Sequence, residues 1–181
     1  MSIRVAVITP ASMNRLDHLQ RQRRFLTEVR TPGIEVVRVE AWLDVDAPPA
    51  VPSVLSVHVP PGRDGMRVGA ARNAAAALAL DHGVDLLVFL DVDCLPGPDL
   101  LERYVDAARD HPHDLLCGPV TYLHSVQRPS RMVDLGTMTR PHPARPLPPD
   151  GDVVTATDDE FDLFLSLIHI RRCRRYSLCR S

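Results

Sequence analysis

The stretch LLVFLDVDCLPGPDLL, Leu86 to Leu101, decides how this sequence is interpreted. Its first part, Leu86 to Leu90, is an unbroken apolar run, which is typical of a strand buried on both faces of a sheet. Two carboxylates, Asp91 and Asp93, follow at once. Because alternate residues of an extended chain point to opposite sides, Val92 is directed away and the two acids can converge on one object.

Two carboxylates this close to each other repel unless a cation or hydrogen-bond donors neutralise them. A hard divalent ion such as Mg²⁺ or Mn²⁺, held by one or two carboxylates and completed by phosphate oxygens and water, is one solution. The other is a turn at the strand end, in which Asp91 and Asp93 accept hydrogen bonds from backbone amides. The two acids alone do not decide between a metal site and such a turn.

The rest of the chain alternates predicted strands with predicted helices. Apolar and β-branched runs predict strands, and helical spacing of apolar residues predicts helices; the strands are 3–9, 34–42, 53–59, 86–90 and 114–123, and the helices 14–29, 68–80 and 98–110. The alternation predicts an α/β domain with a mostly parallel sheet flanked by helices. Ligands of open parallel sheets bind beyond the carboxyl ends of the strands. We therefore expect Thr9, Trp42 and Asp91 to share one edge.

Composition excludes several classes of protein. With 181 residues, 45% of them hydrophobic and 24% charged, the sequence is typical of a soluble globular domain. It shows no apolar run of a membrane span's length and no signal peptide, so we expect a cytoplasmic protein whose association with a membrane, where it occurs, is peripheral. The net charge of -2 and the lack of a basic helix with interleaved aromatic residues argue against a nucleic-acid partner.

The segment 165–181, LSLIHIRRCRRYSLCRS, differs abruptly from what precedes it and contains five of the arginines. In-frame translation of the transposon-end adapter used in sequencing libraries gives LSLIHI. We therefore interpret 165–181 as a non-native tail and 1–164 as the N-terminal portion of a domain whose C-terminal part is missing. Without the tail only Cys94 and Cys117 remain, which predicts neither a disulfide framework nor a zinc site.

The segment 68–108 resembles the nucleotide-sugar-binding core of family 2 glycosyltransferases of the GT-A fold. The shared features, in order, are an ARN helix start at 71–73, an apolar strand, a D-x-D motif and a proline-marked turn. The stretch NRLDHL, 14–19, is similar to the R-x-x-HL of galactosyltransferase-like relatives, and CGPVTYL, 117–123, to their G-P-V-x-Y-L strand. The resemblance covers nearly all of 1–164.

Two positions depart from the family pattern. Ala75 stands where the family often has a glycine two positions after its ARN. The usual acid after the second strand has no unambiguous counterpart among Glu40, Asp44 and Asp46. The residue that reads the base is therefore less well defined than the D-x-D.

The resemblance implies a Rossmann-like GT-A fold and transfer of a sugar from a nucleotide-diphosphate sugar to an acceptor hydroxyl. It implies that Asp93 coordinates a divalent metal, Mn²⁺ or Mg²⁺, that bridges the diphosphate, and that Asp91 contacts the ribose or the nucleotide. The other nucleotide-sugar contacts that it implies are Thr9, Pro10, Arg15, Glu40 or Asp44, Arg72 and Val92.

A family member that inverts the sugar configuration also needs a carboxylate as general base. The relatives carry this acid in a Gly-Gly-Glu-Asp-like segment beyond the position where this chain's similarity ends. We therefore expect the base to be missing, and Asp158 and Asp159 are weak candidates for it. The acceptor, a glycan, a lipid or a small molecule, is not specified by the residues present.

Two other function classes fit part of the pattern. A haloacid-dehalogenase-like phosphatase also places D-x-D after an apolar strand, but it expects Thr or Val where Leu95 stands, and it requires a lysine, which this chain lacks. A sugar nucleotidyltransferase needs a Gly-rich loop with Arg or Lys after the first strand, where TPASMNR stands. A nucleotide-binding or scaffold domain without catalysis is the main alternative to a glycosyltransferase.

Overall fold

The computed structural model describes residues 2–48 and 50–118, and the backbone of three short strands at 121–123, 139–141 and 154–155. The main sheet of this part of the chain is built from β1 (Ile3–Ala11), β2 (Ile34–Trp42), β3 (Leu55–His58) and β4 (Leu86–Phe89). All of its pairings are parallel, and the strand order is β3-β2-β1-β4. The predicted α/β class with a mostly parallel sheet is confirmed.

The described helices connect these strands and cover both faces of the sheet. They are α1 (Leu16–Glu28), which follows a 3₁₀ turn at Met13–Arg15, α2 (Val68–Asp81) and α3 (Leu100–Asp110). Helix α2 packs on one face, and α1 and α3 pack on the other. Within the described residues no helix has both the length and the apolar composition needed to cross a bilayer.

Strand β1 is the centre of the core because it is buried on both faces. Ala6 and Ile8 pack with α2, whereas Val5 and Val7 pack on the opposite face with α3. Full burial of a Val or Ile side chain contributes about 1.5–3 kcal/mol. The apolar run that predicted β1 is thus explained by contacts on both sides.

Strand β1 continues two residues beyond its predicted end at Thr9, through Pro10 to Ala11. The carbonyl of Ile8 accepts a hydrogen bond of 3.0 Å from the amide of Leu90. Backbone groups two residues apart point to the same side of a strand, so Pro10 also faces β4, which ends at Phe89. The N–H that Pro10 lacks would point beyond the end of β4, so no ladder hydrogen bond is lost there.

The predicted strand at 114–123 is wrong as a single element. It is divided into β5 (Leu116–Cys117) and β6 (Thr121–Leu123), which pair antiparallel with β8 (Val154–Thr155) and β7 (Thr139–Pro141), respectively. The amide of Gly118 donates to the hydroxyl of Tyr104 at 2.8 Å instead of to a neighbouring strand. This contact interrupts the ladder at the residue that follows β5.

The strand order also fixes where a ligand can bind. The chain moves outward from β1 to β2 and β3, and then returns to the other side of β1 as β4. In open sheets of this kind, ligands bind beyond the carboxyl ends of the strands at the point where the order reverses. In this chain that point lies between the end of β1 and the end of β4.

Candidate functional site

The two acids lie in a tight turn that begins where β4 ends. The amide of Cys94 donates to the carbonyl of Asp91 at 2.8 Å, which closes the turn Asp91–Cys94. The side chains of Asp91 and Asp93 are 48% and 53% exposed, respectively. Both carboxylates are therefore accessible at the carboxyl edge of the sheet.

Two arginines face these carboxylates. Arg72, the fifth residue of α2, forms a close ion pair with Asp91. Arg15, at the end of the 3₁₀ turn, places its Nη1 3.6 Å from Oδ2 of Asp93. Ion pairs as exposed as that of Arg15 and Asp93 contribute little to stability. A site that contains two carboxylates and two guanidinium groups is suited to a ligand that has both a cationic and an anionic part.

Arg72 is the more buried of the two arginines, with 19% of its side chain exposed. Its Nε is buried and has no hydrogen-bond partner among the described residues. Guanidinium groups bind phosphate through several N–H donors at once. Arg72 therefore keeps donor capacity beyond its contact with Asp91.

A buried glutamine connects the end of β1 to the turn. Gln22 of α1 is 1% exposed. Its Oε1 accepts a hydrogen bond of 2.8 Å from the hydroxyl of Thr9, and its Nε2 donates to the carbonyls of Asp91 and Cys94 at 2.7 and 2.9 Å, respectively. This one side chain thus holds both ends of the turn Asp91–Cys94.

Gln22 is not among the site residues predicted from the sequence, although the sequence contains a signal for it. Gln22 lies three residues after Leu19 and three before Phe25, and both of these residues are buried on the same face of α1. A polar residue in the apolar stripe of a helix needs buried partners. The sequence alone does not reveal those partners, because two of them are backbone carbonyls.

The other residues that were expected to contact a ligand near the end of β1 are buried or packed against the core. Thr9 is buried, and its hydroxyl is directed to Gln22. Pro10 is buried within β1. Val92 packs against the cluster of Ala11, Leu19 and Trp42. Trp42 belongs to this core cluster, and Thr9 and Pro10 support the edge from within the sheet.

The structure does not bring Glu40 together with the two acids of the turn. Glu40 lies opposite Thr9 in the register of β1 and β2, and it is buried. Arg23 of α1 donates to both of its carboxylate oxygens, each at 2.7 Å. A paired, buried carboxylate of this kind stabilises the packing of α1 on the sheet only as long as both partners are present.

Asp44 lies nearer to the arginine-bearing turn. Its Oδ2 accepts a hydrogen bond of 2.9 Å from the amide of Met13, the first residue of the 3₁₀ turn that ends with Arg15. Its carbonyl oxygen is 2.8 Å from Nε2 of His58, at the end of β3. Asp44 therefore joins the ends of β2 and β3 to the segment that follows β1.

The thiol inside the turn is held in its neutral form. Burial is the main cause that raises the pKa of Cys94 from 9.0 to about 11, and the negative charges of Asp93 and Asp91 add to it. A thiol of this pKa is protonated at neutral pH, whereas the thiolate is the form that attacks electrophiles and binds metals. Cys94 is thus a packing residue of the turn.

The donor set of the turn fits a divalent ion only in part. No group of three or more His, Cys, Asp or Glu side chains in the described part of the chain is arranged to hold a metal. Mg²⁺-type sites, however, commonly use one or two carboxylates and take their other ligands from substrate phosphates and water. Asp91 and Asp93 match such a partial site, and Asp93 is the more available because its arginine is 3.6 Å away.

The sequence model of the glycosyl transferase family 2 domain matches residues 56–157, more than half of the chain. The chain belongs to glycosyl transferase family 2. A search of curated proteins finds no match. Family membership supports a glycosyltransferase activity in general, and the parallel sheet with flanking helices agrees with a GT-A, Rossmann-like fold.

In this family 2 domain, the matched residues contain Arg72, Asp91 and Asp93. The elements β1 and α1, which carry Arg15 and Gln22, precede the matched segment and complete the edge. The candidate bases Asp158 and Asp159, like the segment 165–181, lie outside the described residues.

Proposed function

We propose that this chain binds a nucleotide-diphosphate sugar at the edge formed by β1 and β4, as the donor-binding portion of a glycosyltransferase that transfers the sugar to an acceptor hydroxyl. One observation carries the proposal: two carboxylates, each facing an arginine, lie where the strand order reverses, within a segment that matches a glycosyltransferase family. The R-x-x-HL stretch that begins at Arg15 supports a galactosyltransferase-like member of this family.

Each charged residue has a defined role in this proposal. Arg72 and Arg15 donate hydrogen bonds to oxygens of the diphosphate. Asp93, and Asp91 to a lesser extent, would hold a divalent ion, Mn²⁺ or Mg²⁺, while Asp91 also contacts the ribose. Such an ion, when bound, neutralises the charge that develops on the nucleoside diphosphate as the sugar-phosphate bond breaks.

The nucleoside lies, in this proposal, beyond the ends of β1 and β2. Asp44 is the better candidate for reading the base, because both carboxylate oxygens of Glu40 are bound by Arg23. Thr9, Pro10 and Val92 form the floor of this region rather than direct polar contacts. Acceptor activation requires a general base, and Asp158 and Asp159 are the first carboxylates to replace in a search for it.

The proposal predicts that Asp93→Ala abolishes metal-dependent binding of a nucleoside diphosphate. Removal of the carboxylate takes away the main protein ligand of the ion, which we expect to lower the metal-dependent affinity by at least about 100-fold, as for loss of a charged ligand contact of roughly 3 kcal/mol. Isothermal titration with UDP and with GDP, each with and without Mn²⁺, measures this effect.

Asp106→Ala is the matched control, because Asp106 is an exposed aspartate that pairs with Arg109 on α3. We expect this variant to bind nucleotide as the unmodified chain does. Equal metal-dependent affinity of Asp93→Ala and Asp106→Ala would overturn the assignment of Asp93.

A further inference from the structure

We propose that Gln22 is a positioning residue that holds the turn Asp91–Cys94 in the geometry needed to bind a metal and a diphosphate. The inference rests on the proposed function in so far as this turn binds the donor. It concerns a side chain of α1 that precedes the segment matched by the family model.

The carbonyl partners of Gln22 are at the two ends of the turn. Gln22 donates to the carbonyls of Asp91 and Cys94, which are the first and last residues of the turn. The carbonyl of Asp91 also accepts the hydrogen bond from the amide of Cys94 that closes the turn. A single amide group therefore fixes both ends of the segment that carries Asp93.

The orientation of the Gln22 amide is determined by its partners. The carboxamide nitrogen of Gln22 has two hydrogens, and both are used by carbonyl oxygens. Its oxygen accepts from the hydroxyl of Thr9 in β1. The reversed orientation would place that oxygen against the two carbonyls, and a buried acceptor without a donor is costly. Thr9 thus fixes the orientation of the Gln22 amide, and Gln22 in turn holds the backbone of the turn.

The Gln22 side chain is also buried. Gln22 is 1% exposed, so water does not replace these hydrogen bonds when they are lost. Residues that orient the ligands of a metal typically change metal affinity by about 10–100-fold when they are substituted. Gln22 would orient the carboxylate of Asp93 in this manner, since it fixes the backbone on both sides of that residue.

The test compares Gln22→Met with Gln20→Met in the full chain. Methionine is similar to glutamine in length and shape but makes none of the three hydrogen bonds, and Gln20 is an exposed glutamine of the same helix. We expect amide hydrogen exchange of a peptide covering 91–97 to become at least about tenfold faster in Gln22→Met, as for loss of buried hydrogen bonds. Exchange of a peptide within α3 serves as the internal reference.

The second measurement is nucleotide binding with and without Mn²⁺. We expect Gln22→Met to lower the Mn²⁺-dependent affinity for UDP or GDP by about 10–100-fold and to leave the Mn²⁺-independent affinity unchanged. In the background of Asp93→Ala, the same substitution should have no further effect on binding, because the carboxylate that Gln22 positions is then absent.

Several results would overturn the inference. Equal exchange of 91–97 in the Gln22→Met and Gln20→Met variants would show that Gln22 does not hold the turn. Faster exchange with unchanged Mn²⁺-dependent affinity would make Gln22 a purely structural residue. If Gln22→Met does not fold, Thr9→Val, which removes only the bond to Oε1, should still accelerate exchange of the turn. Absence of nucleotide binding by the unmodified chain would instead contradict the proposed function, and exchange would then decide on Gln22 alone.

Discussion

The alkylation rate of the Cys94 thiol depends on the electrostatics of the turn. Because burial and two neighbouring carboxylates raise the pKa of its thiol to about 11, we expect its alkylation rate in the folded chain to rise with pH up to about 11. In the urea-unfolded chain the same thiol should follow its ordinary pKa of 9.0. Near pH 8 the thiolate fraction then differs by about 100-fold between the two states. Peptide mass spectrometry of iodoacetamide-treated protein measures both profiles.

The same shift has a consequence for stability. The pKa is higher in the folded state than in the unfolded state, so the contribution of Cys94 is fully present below pH 9 and is lost as the pH rises through about 11. Folded and unfolded profiles with the same inflection would show that the turn does not bury the thiol.

Single residues also show where sequence-based prediction of the site succeeds and where it fails. Asp91 and Asp93 could be placed at the sheet edge, because a strand-end position follows directly from the apolar run before it. The engagement of Glu40 by Arg23 and the role of Gln22 could not be predicted. Both depend on how α1 packs on the sheet, and local patterns contain no information on that packing.

At the level of elements, one face of the alanine-rich helix α2 packs closely on the sheet. Ala71, Ala75 and Ala79 are each 0% exposed against β1 and β2. We expect Ala75→Leu to destabilise the fold by about 1–3 kcal/mol, because a larger side chain has no room between helix and sheet. Urea unfolding followed by circular dichroism measures the change.

Ala77→Leu is the control for this prediction, since Ala77 lies on the exposed face of the same helix. Its stability should stay within about 0.5 kcal/mol of the unmodified chain. Equal stability of the two variants would contradict the close packing of α2. The departure of Ala75 from the family's glycine is accommodated, because both residues are small enough for this contact.

The elements themselves were largely predictable from hydrophobic periodicity. Strand β2 has the predicted bounds, and α2 extends one residue further than predicted. Other bounds differ at their ends, as for β3, which was predicted over 53–59 and spans Leu55–His58. Two errors occurred where the partner of a single backbone nitrogen decides the outcome. Pro10 remains in β1 because β4 has already ended, and Gly118 ends β5 because its amide binds Tyr104.

For the molecule as a whole, the order β3-β2-β1-β4 follows from the parallel pairings and determines which strand ends meet. Alternation of strands and helices predicted the class but not this order. The ordered set of motifs at 71–73, 86–90 and 91–93 indicated a protein family, which the alternation of elements alone does not. The family match then agreed with that part of the chain, residues 56–157.

We expect residues 165–181 to contribute nothing to the stability of the domain. The main sheet and its helices are formed by residues 3–110, and the family match ends at residue 157. The segment 165–181 begins with LSLIHI, which we interpret as a translated adapter sequence. We expect deletion of 165–181 to change the melting temperature by less than about 2 °C, the shift that accompanies a loss of up to roughly 1 kcal/mol. Metal-dependent nucleotide affinity should also be unchanged.

A chain that ends at Asp152 is the informative comparison for this deletion, because it also lacks β8, the partner of β5. We expect this shorter chain to melt at a lower temperature, since the backbone hydrogen bonds of β5 then lose their strand partner. A clear drop in melting temperature already on deletion of 165–181 would mean that the segment is a genuine part of the domain. In that case its five arginines would have to be included in the charge balance of the donor site.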